Sequence, residues 1–599
     1  MNSAVLPSDI DWSPPRSAIG DDLRCPVCRR RGSHSIVLAV PAVEPPGRSL
    51  TLIRCSGCDS VFYQPPDIAD FSGLDVDRET FWRFYVEVGG GVWETIWPIL
   101  AAADGGSLLD VGCGFGYAID FWQRTGRGEA VGVELADYGR EGARRLDVTI
   151  HAERLEACAA LAGRRFDVVY ASEVIEHVPD PTAFVELLSR WVADDGVLIL
   201  TTPAASFIAR ENLSTGLLAA LAPGFHGFLL SSQSLADVAR DAGFAHVETR
   251  TMNERQFAWA SRRPLRLPKR LPPGLGPYLE YLTSRVAAPC DSASPVWQGF
   301  AYRLGKEHVS AGRLDEAGEL LARLCGGIEM AFGADIIDPD TAPARLKQCA
   351  TLVDFGRVAP FFLPSLFYHL GALAQHHHRQ PRQALRYYAG AVECILEAGR
   401  IDALSLIEPL SLLWPARARQ AELLLAGGDV AAGVDLFVRL AGEGARCDAR
   451  NAFAVAPRDL LEATVPAICE GLWSHGYRGR GQALFEAHAA YLTDRYGAVV
   501  TTAAGVESRL ASGDSALPLD PMFAPFFIAR AGIPAGDALA EATAIARIGE
   551  LHADHAAYGR RLRELAARAR SLLAAATGPT SASAGLVWSS GTSYRHRPR

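Results

Sequence analysis

The chain has 599 residues, 49% of them apolar and 21% charged, with 59 Lys and Arg against 68 Asp and Glu. That length predicts several domains at roughly 100–200 residues each, and the apolar share excludes a disordered polymer. A net charge of −9 argues against a generic nucleic-acid binder, and the lack of a long uncharged apolar run argues against a membrane-spanning helix.

The opening MNSAVLPSDIDW has no charged segment followed by an apolar one. No signal peptide is expected, residues 1–20 are expected to be flexible, and the chain is assigned to the cytoplasm. Residues 21–66 carry two CxxC knuckles, Cys25-Pro-Val-Cys28 and Cys55-Ser-Gly-Cys58, with 26 residues between them. Two residues between thiolates let both sulfurs reach one ion from a tight turn, and Gly57 eases the second turn. Four such thiolates predict a closed, structural, tetrahedral Zn²⁺ site. The alternation in SIVLAVPAV and SLTLIRC predicts the strands of a ribbon. A redox dithiol is disfavoured, because there are two pairs and no thioredoxin-like context. The other eight cysteines stand singly in apolar surroundings and read as small buried hydrophobes. Arg29-Arg30-Arg31 could touch phosphate, although a short charge run more often just faces water.

The aromatic stretch FWRFYVEVGGGVWETIWPIL (81–100) predicts helices beside a ligand mouth, where its rings either line an acceptor pocket or pack. Next comes LLDVGCGFGYAIDFW (108–122). An apolar run ends in Asp110 and the glycines Gly112, Gly114 and Gly116, with Cys113 among them, before an amphipathic segment. That pattern is a buried parallel strand, a turn without side chains and a helix start. The turn admits a ligand close to backbone, and the helix N-terminus offers N–H groups. A dinucleotide fingerprint would need glycine at the sixth position, where Tyr117 stands. Asp110 suits a cationic ligand, one with an ammonium or sulfonium group. The following AVGVEL predicts a second strand ending in Glu134 and Leu135, and a carboxylate there can accept both ribose hydroxyls.

Four further segments follow in order: FDVVYASEVIEHVPDP (166–181), DDGVLILTTP (194–203), HGFLLSSQSLADVARDAGFAHVE (226–248) and FAWASRR (257–263). With DVGCGFG and VGVEL they span about residues 104–262 and resemble the class I S-adenosylmethionine-dependent methyltransferases. The fourth-strand segment resembles the branch that includes ubiquinone-biosynthesis O-methyltransferases and many sugar methyltransferases. The resemblance implies an α/β, Rossmann-like, seven-stranded methyltransferase domain over residues 67–263, including the N-terminal helices. It also implies an S-adenosylmethionine site made of Asp110, Gly112, Cys113, Gly114, Gly116, Glu134, Leu135 and Ser172. The third motif, near VTIHAERLE, departs from the family pattern, and Glu153 stands about where the family often has an adenine-contacting Asp. LIRCSGCDSVFYQPP is similar to the short zinc ribbon ahead of many bacterial sugar and small-molecule methyltransferases, and ribosomal-RNA methyltransferases can carry a similar ribbon.

Methyl transfer from a sulfonium is an in-line displacement that needs alignment, exclusion of water and often removal of a proton from the acceptor. Candidates for that proton follow the strands' C-terminal ends, where ligands bind in such sheets. Glu173 comes directly after the fourth strand, Glu176 and His177 lie on the next turn, and His226 matches a recurring family His. A neutral imidazole near its own pKa suits a hydroxyl proton. The catalytic candidates are therefore His226, His177 and Glu173. The plainer alternatives are a packing role for His177, a solvated face for Glu176, and transfer by alignment alone.

RRPLRLPKRLPPGLGP marks a domain boundary, with a Pro-rich basic linker over 264–277. Residues 278–576 read as an all-α helical domain. Weakly similar segments at 310–324, 379–393, 426–441 and 478–492 suggest tetratricopeptide-like pairs stacked around a groove for a protein partner, the alternative being an irregular bundle. His376, His377 and His378 are consecutive, point in different directions on a helix and cannot share one ion. Residues 577–599 read as a disordered tail. The leading expectation is an S-adenosylmethionine-dependent methyltransferase that O-methylates a sugar or other small-molecule acceptor in glycan biosynthesis. One alternative is an RNA methyltransferase binding substrate through the ribbon. The acidic net charge and the lack of an Asn-Pro-Pro-Tyr-like motif after the fourth strand weigh against it. The other is a non-enzymatic repeat scaffold with a cofactor-sensing domain.

Overall fold

The computed structural model describes residues 9–14, 22–436 and 570, except 33, 44–46, 67–76, 89–91, 213–214, 253, 403–405, 430 and 434. The expected tail at 577–599, the repeat segment at 478–492 and most of the flexible start lie outside the described residues.

Strands β1 (Leu23–Arg24) and β2 (Arg31–Gly32) pair around the first knuckle. Strands β3 (Ser35–Pro41), β4 (Ser49–Arg54) and β5 (Val61–Gln64) form an antiparallel sheet, the first two where alternation predicted them. Helices α1 (Arg78–Glu87) and α2 (Val92–Leu100) follow. Asp77 caps α1 by accepting from the Thr80 N–H at 2.9 Å, which satisfies one of the helix's orphan donors.

The α/β unit then runs β6 (Leu108–Val111), α3 (Tyr117–Arg124), β7 (Ala130–Val133), α4 (Asp137–Leu146), β8 (Ile150–His151), β9 (Phe166–Ser172), α5 (Pro181–Ser189) and β10 (Val192–Pro203). It continues with α6 (Thr215–Leu221), β11 (Phe228–Leu229), α7 (Ser232–Asp241), β12 (His246–Met252) and β13 (Arg255–Ser261). Seven strands make one sheet in the order β12-β13-β10-β9-β6-β7-β8. The five strands from β10 to β8 are parallel, and β13 runs antiparallel to both its neighbours. The strands β6 and β7 are buried along their whole length, which is why they read as continuous apolar runs in the sequence. The chain winds one way from β6 through β8 and the other way from β9 to β10. The C-terminal ends of β6 and β9 therefore flank the switch point where open α/β sheets bind ligands.

Strand β11 leaves this sheet. It pairs with β5 (Phe228↔Phe62, Leu229↔Val61) and completes a four-stranded sheet with the order β11-β5-β4-β3. Cys25, Cys55 and Phe62 share an apolar cluster with Leu109, Val169 and Leu198.

The C-terminal half is helical: α8 (Gly276–Ala287), α9 (Pro295–Ser310), α10 (Leu314–Phe332), α11 (Ala342–Leu346), α12 (Leu352–Val358), α13 (Leu363–His376), α14 (Pro381–Asp402), α15 (Ile407–Ser411) and α16 (Leu413–Ala426). Helices α9 and α10 pack together, as do α13 and α14. The repeat-like segments at 310–324 and 379–393 fall largely on α10 and α14. One apolar cluster crosses the halves: Trp82, Phe121 and Trp259 meet Tyr281, Phe300 and Leu304, with Leu265, Leu267 and Leu271 of the Pro-rich segment against them. No described helix is long and apolar enough to cross a membrane.

Candidate functional site

Asp110, the penultimate residue of β6, is almost wholly buried, and its Oδ2 has no hydrogen-bond partner among the described residues. Burial, and then the Glu134 charge, push this carboxyl up to about 8. Gly112, Gly114 and Gly116 have φ of +70°, +56° and +92°, a region costly for side chains. A Cβ on Gly112 would lie 2.5 Å from Val174 Cγ2, so the turn after β9 abuts the glycine loop. Glu134 braces the loop by accepting from the Gly114 N–H at 3.1 Å and the Ala136 N–H at 2.9 Å, and burial pushes its carboxyl up. Leu135 beside it is 42% exposed, an apolar surface at the rim that a flat base could cover. The Cys113 side chain is buried inward toward Gly132, so only its backbone faces the loop's open side. Glu153 is exposed just after β8, a strand of two residues, with His151 and the buried Cys158 near it.

The aromatic helices lie beside this loop. Trp82 stacks on Phe115 at 6.4 Å, and Tyr85 stacks on Tyr138 at 4.5 Å. The Tyr117 hydroxyl donates to the Tyr85 carbonyl at 3.0 Å. Tyr85 belongs to the 81–100 stretch whose rings were expected to line a pocket or pack, but its partner Tyr138 was not singled out from the sequence. Their spacing of 53 positions carries no local signal, and only α1 folding over the start of α4 brings them together.

A second cluster stands at the ends of β9 and β10. The Ser172 hydroxyl is 2.7 Å from Thr201 Oγ1, which donates to Glu173 Oε1 at 3.0 Å. Glu173 has φ of +56°, a strained backbone for a side-chain-bearing residue. Its N–H is held by the Thr201 carbonyl at 2.9 Å, and Arg255 Nε lies 4.0 Å from its Oε2. Glu176 and His177 lie on a single 3₁₀ turn, Ile175–His177. A solvated Glu176 does not survive: the residue is fully buried. Its Oε2 accepts from the Thr202 hydroxyl at 2.9 Å, and its Oε1 lies 4.0 Å from both His177 Nε2 and His226 Nε2.

The tautomers follow from the backbone. His177 Nδ1 faces the Phe225 carbonyl at 2.9 Å, and His226 Nδ1 faces the Ala220 carbonyl at 2.8 Å. A carbonyl only accepts, so each Nδ1 carries the proton and each Nε2 the lone pair. Burial, then the neighbouring His177, pulls His226 down to about 3, and burial also lowers His177. Burial, then the Glu173 charge, holds the Glu176 carboxyl well above the usual carboxylate range. The three ligand-type atoms lie within 4.8 Å of one another. Such a cluster can shuttle one proton or share one cation.

At the ribbon the four Sγ atoms also lie within 4.8 Å of one another. Cys25 and Cys58 are 3.8 Å apart, and Cys28 and Cys55 are 3.5 Å apart. Tetrahedral Zn–S bonds of about 2.3 Å place sulfurs about 3.8 Å apart, so the donor set fits a zinc ion. The two knuckles repeat one backbone pattern: the Arg29 N–H donates to the Cys25 carbonyl and the Asp59 N–H to the Cys55 carbonyl, both at 3.1 Å. Of the three nearby arginines, Arg29 pairs with Asp180, and Arg31 lies 3.1 Å from Asp22.

A family model described as a methyltransferase domain matches residues 94–249. The ubiquinone biosynthesis O-methyltransferase of Neisseria meningitidis serogroup C is 30% identical over 160 residues, 25% of this chain and 67% of that protein. The protein of the same name from Psychrobacter arcticus is 31% identical over 158 residues, 23% of this chain and 59% of that protein. A solved Thermotoga maritima structure, described as a SAM-dependent methyltransferase and possible histamine N-methyltransferase, covers 31% of this chain and 95% of its own at 17% identity and a TM-score of 0.25. The chain thus spans about two thirds or less of the length of the two sequence relatives. On the strength of those relatives and the family model, the chain belongs to the S-adenosylmethionine-dependent methyltransferases.

Proposed function

We propose that the protein transfers a methyl group to a hydroxyl of a small-molecule acceptor, with the Glu176–His177–His226 cluster handling the proton. The carrying observation is that one buried carboxyl oxygen faces two imidazole Nε2 atoms, each at 4.0 Å, on a turn that touches the glycine loop. S-adenosylmethionine, bound at that loop, supplies an electrophilic methyl. Asp110 suits its ammonium group, Glu134 its ribose hydroxyls, Leu135 and Glu153 its adenine side, and the backbone of Gly112, Cys113, Gly114 and Gly116 its close approach. Ser172 and Glu173 bound the path toward the acceptor. Above the raised Glu176 titration, the ionised carboxylate offsets the burial that holds His226 down, so His226 Nε2 takes the hydroxyl proton and Glu176 stabilises the imidazolium that results. His177 flanks the same carboxyl.

The name of these two relatives, ubiquinone biosynthesis O-methyltransferase, supports O-methylation. For the acceptor we favour a sugar or related metabolite of glycan assembly, on the family resemblance and on the polar set Glu173, Arg255, Ser172 and Thr201. In this reading Cys25, Cys28, Cys55 and Cys58 hold a structural zinc, the enzyme works in the cytoplasm, and any protein partner engages the helical half. Incubation with methyl-labelled cofactor and a panel of nucleotide-sugars, glycan extracts and phenols tests it. Label should appear as an acid-stable ether, and label on nitrogen or carbon would overturn the hydroxyl acceptor.

A second reading has its own support: Glu176, His177 and His226 are close enough to share a divalent cation that polarises the acceptor oxygen. Metal content set against turnover separates the two: the proton-shuttle reading expects full turnover with one zinc ion per chain, at the four cysteines, whereas the metal reading expects turnover to require a second ion that His177→Ala removes. The RNA reading is weakened because Arg29 and Arg31 are each spent on an acidic neighbour. A steep salt dependence of RNA binding would revive it.

A further inference from the structure

The helical half reads as a repeat module for a partner, yet its buried cations point back at the cofactor loop. Two helices flank that loop: α3 begins at its last glycine, and α1 lays Trp82 on Phe115 of the loop and Tyr85 on Tyr138 at the start of α4. Each is gripped by an arginine from the helical half. Arg285 of α8 donates from Nε to Asp120 Oδ2 at 2.6 Å and from Nη2 to Asp120 Oδ1. It also reaches the Leu146 carbonyl at the end of α4, at 3.0 Å. Asp120 lies on α3, one turn beyond the loop, and also accepts from the Tyr281 hydroxyl.

Arg303 of α9 is buried against the last turn of α1. Its Nη1 donates to the Val86 carbonyl, and its Nη2 reaches the Tyr85 carbonyl at 3.4 Å. A cation satisfying the final carbonyls of a helix is favourable twice, through hydrogen bonds and through the helix dipole. Its guanidinium also lies over the Tyr117 ring at 5.6 Å. Glu87, fully buried at the end of α1, completes the grip. It is held by Arg83 at 2.7 Å and accepts from the Phe361 N–H at 2.6 Å. The seam has no slack, since a Cβ on Gly299 of α9 would run into the Val86 carbonyl.

We propose that the C-terminal helical module is a positioning element of the cofactor site, with Arg303 and Arg285 as the positioning residues that fix α1 and α3 around the glycine loop. The module therefore changes how tightly the cofactor is held without touching it. Loosening α1 leaves the Tyr85–Tyr138 stack and the Trp82–Phe115 stack to form at the expense of binding energy, which appears as weaker affinity. This rests on the glycine loop being the cofactor site.

Calorimetric binding of S-adenosylhomocysteine to the full chain tests the proposal, with amide exchange of residues 78–88 as the second readout. Arg303→Ala should raise Kd about tenfold, a coupling of ordinary size, and speed exchange in α1 while β6 stays protected. Arg303→Lys, which keeps a cation at the helix end, should recover part of the affinity. Gly299→Ala, which pushes α1 outward, should mimic the loss if Arg303→Ala does not fold. Ile395→Ala, buried in the module's own core on α14, lowers the module's stability while leaving the Arg303 and Arg285 contacts in place and should leave Kd unchanged. An unchanged Kd in both Arg303→Ala and Gly299→Ala overturns the proposal, as does equal weakening in Ile395→Ala. Glu134→Ala tests the underlying reading separately: if it binds like the parent chain, the loop is not the cofactor site, whatever Arg303 does.

Discussion

Asp110 is held protonated up to about pH 8 by burial and by the neighbouring Glu134 charge. Its unfolded value is about 3.9, so its folded pKa is raised. The contribution to stability is complete below about pH 4 and is lost as pH rises toward 8. Asp110→Asn should flatten that decline in thermal melts of the cofactor-free protein. A cationic group beside Asp110 would favour the carboxylate, so cofactor binding near pH 6 should release a proton. Calorimetry in buffers of different ionisation enthalpy measures this, and Asp110→Asn should abolish the release. Glu176 behaves in the same sense. Below its raised pKa the cluster already holds a proton, so turnover should climb as pH rises through that titration and then level off. His226→Ala should lower kcat by about 10²–10⁴ with the cofactor Kd unchanged. An effect on Kd alone would make His226 a packing residue.

At the level of elements, the ribbon is wired into the loop that carries His226. The Tyr63 N–H donates to the Gly227 carbonyl at 3.0 Å, its hydroxyl donates to the Leu221 carbonyl at 3.0 Å, and the Gly227 N–H donates to the Glu176 carbonyl at 2.9 Å. At the second knuckle, the Cys58 carbonyl accepts from the Ser231 and Ser234 hydroxyls. With zinc held by the four thiolates as proposed, stripping it, or Cys55→Ser, should therefore cost turnover as well as stability, and zinc content, melting temperature and kcat should fall together. Tyr63→Phe is the gentler test. It leaves the Leu221 carbonyl without its buried donor at a cost of about 1–3 kcal/mol, and it should lower kcat more than it weakens cofactor binding. The CxxC knuckles and strands β3 and β4 were legible because spacing and alternation are local. The pairing of β11 with β5 was not, because it joins residues more than 150 positions apart.

Across the whole molecule, the two halves share an apolar cluster. Ending the chain at residue 263 would uncover the surface that Tyr281, Phe300 and Leu304 cover. Such a fragment should aggregate or melt far below the full chain, by light scattering and thermal melts. A well-folded, cofactor-binding fragment would show that the halves are independent. By itself the sequence determined where β6, β7, β9 and β10 lie along the chain, the glycine loop with Asp110 and Glu134, and the four-cysteine set. Each rests on a short pattern: an apolar run between turns, a glycine where φ is positive, two thiols two residues apart. Glu173, His177 and His226 could be named as candidates from sequence. The meeting of the two imidazoles over Glu176 depends on the His226 loop being clamped between the ribbon and the turn after β9. Only the tertiary structure decided that Glu176 is buried, that Tyr85 lies over Tyr138, and that Arg303 and Arg285 grip the helices around the loop. Those arrangements depend on burial and long-range packing, which set the energy of a charge or a ring but leave no periodic trace along the chain.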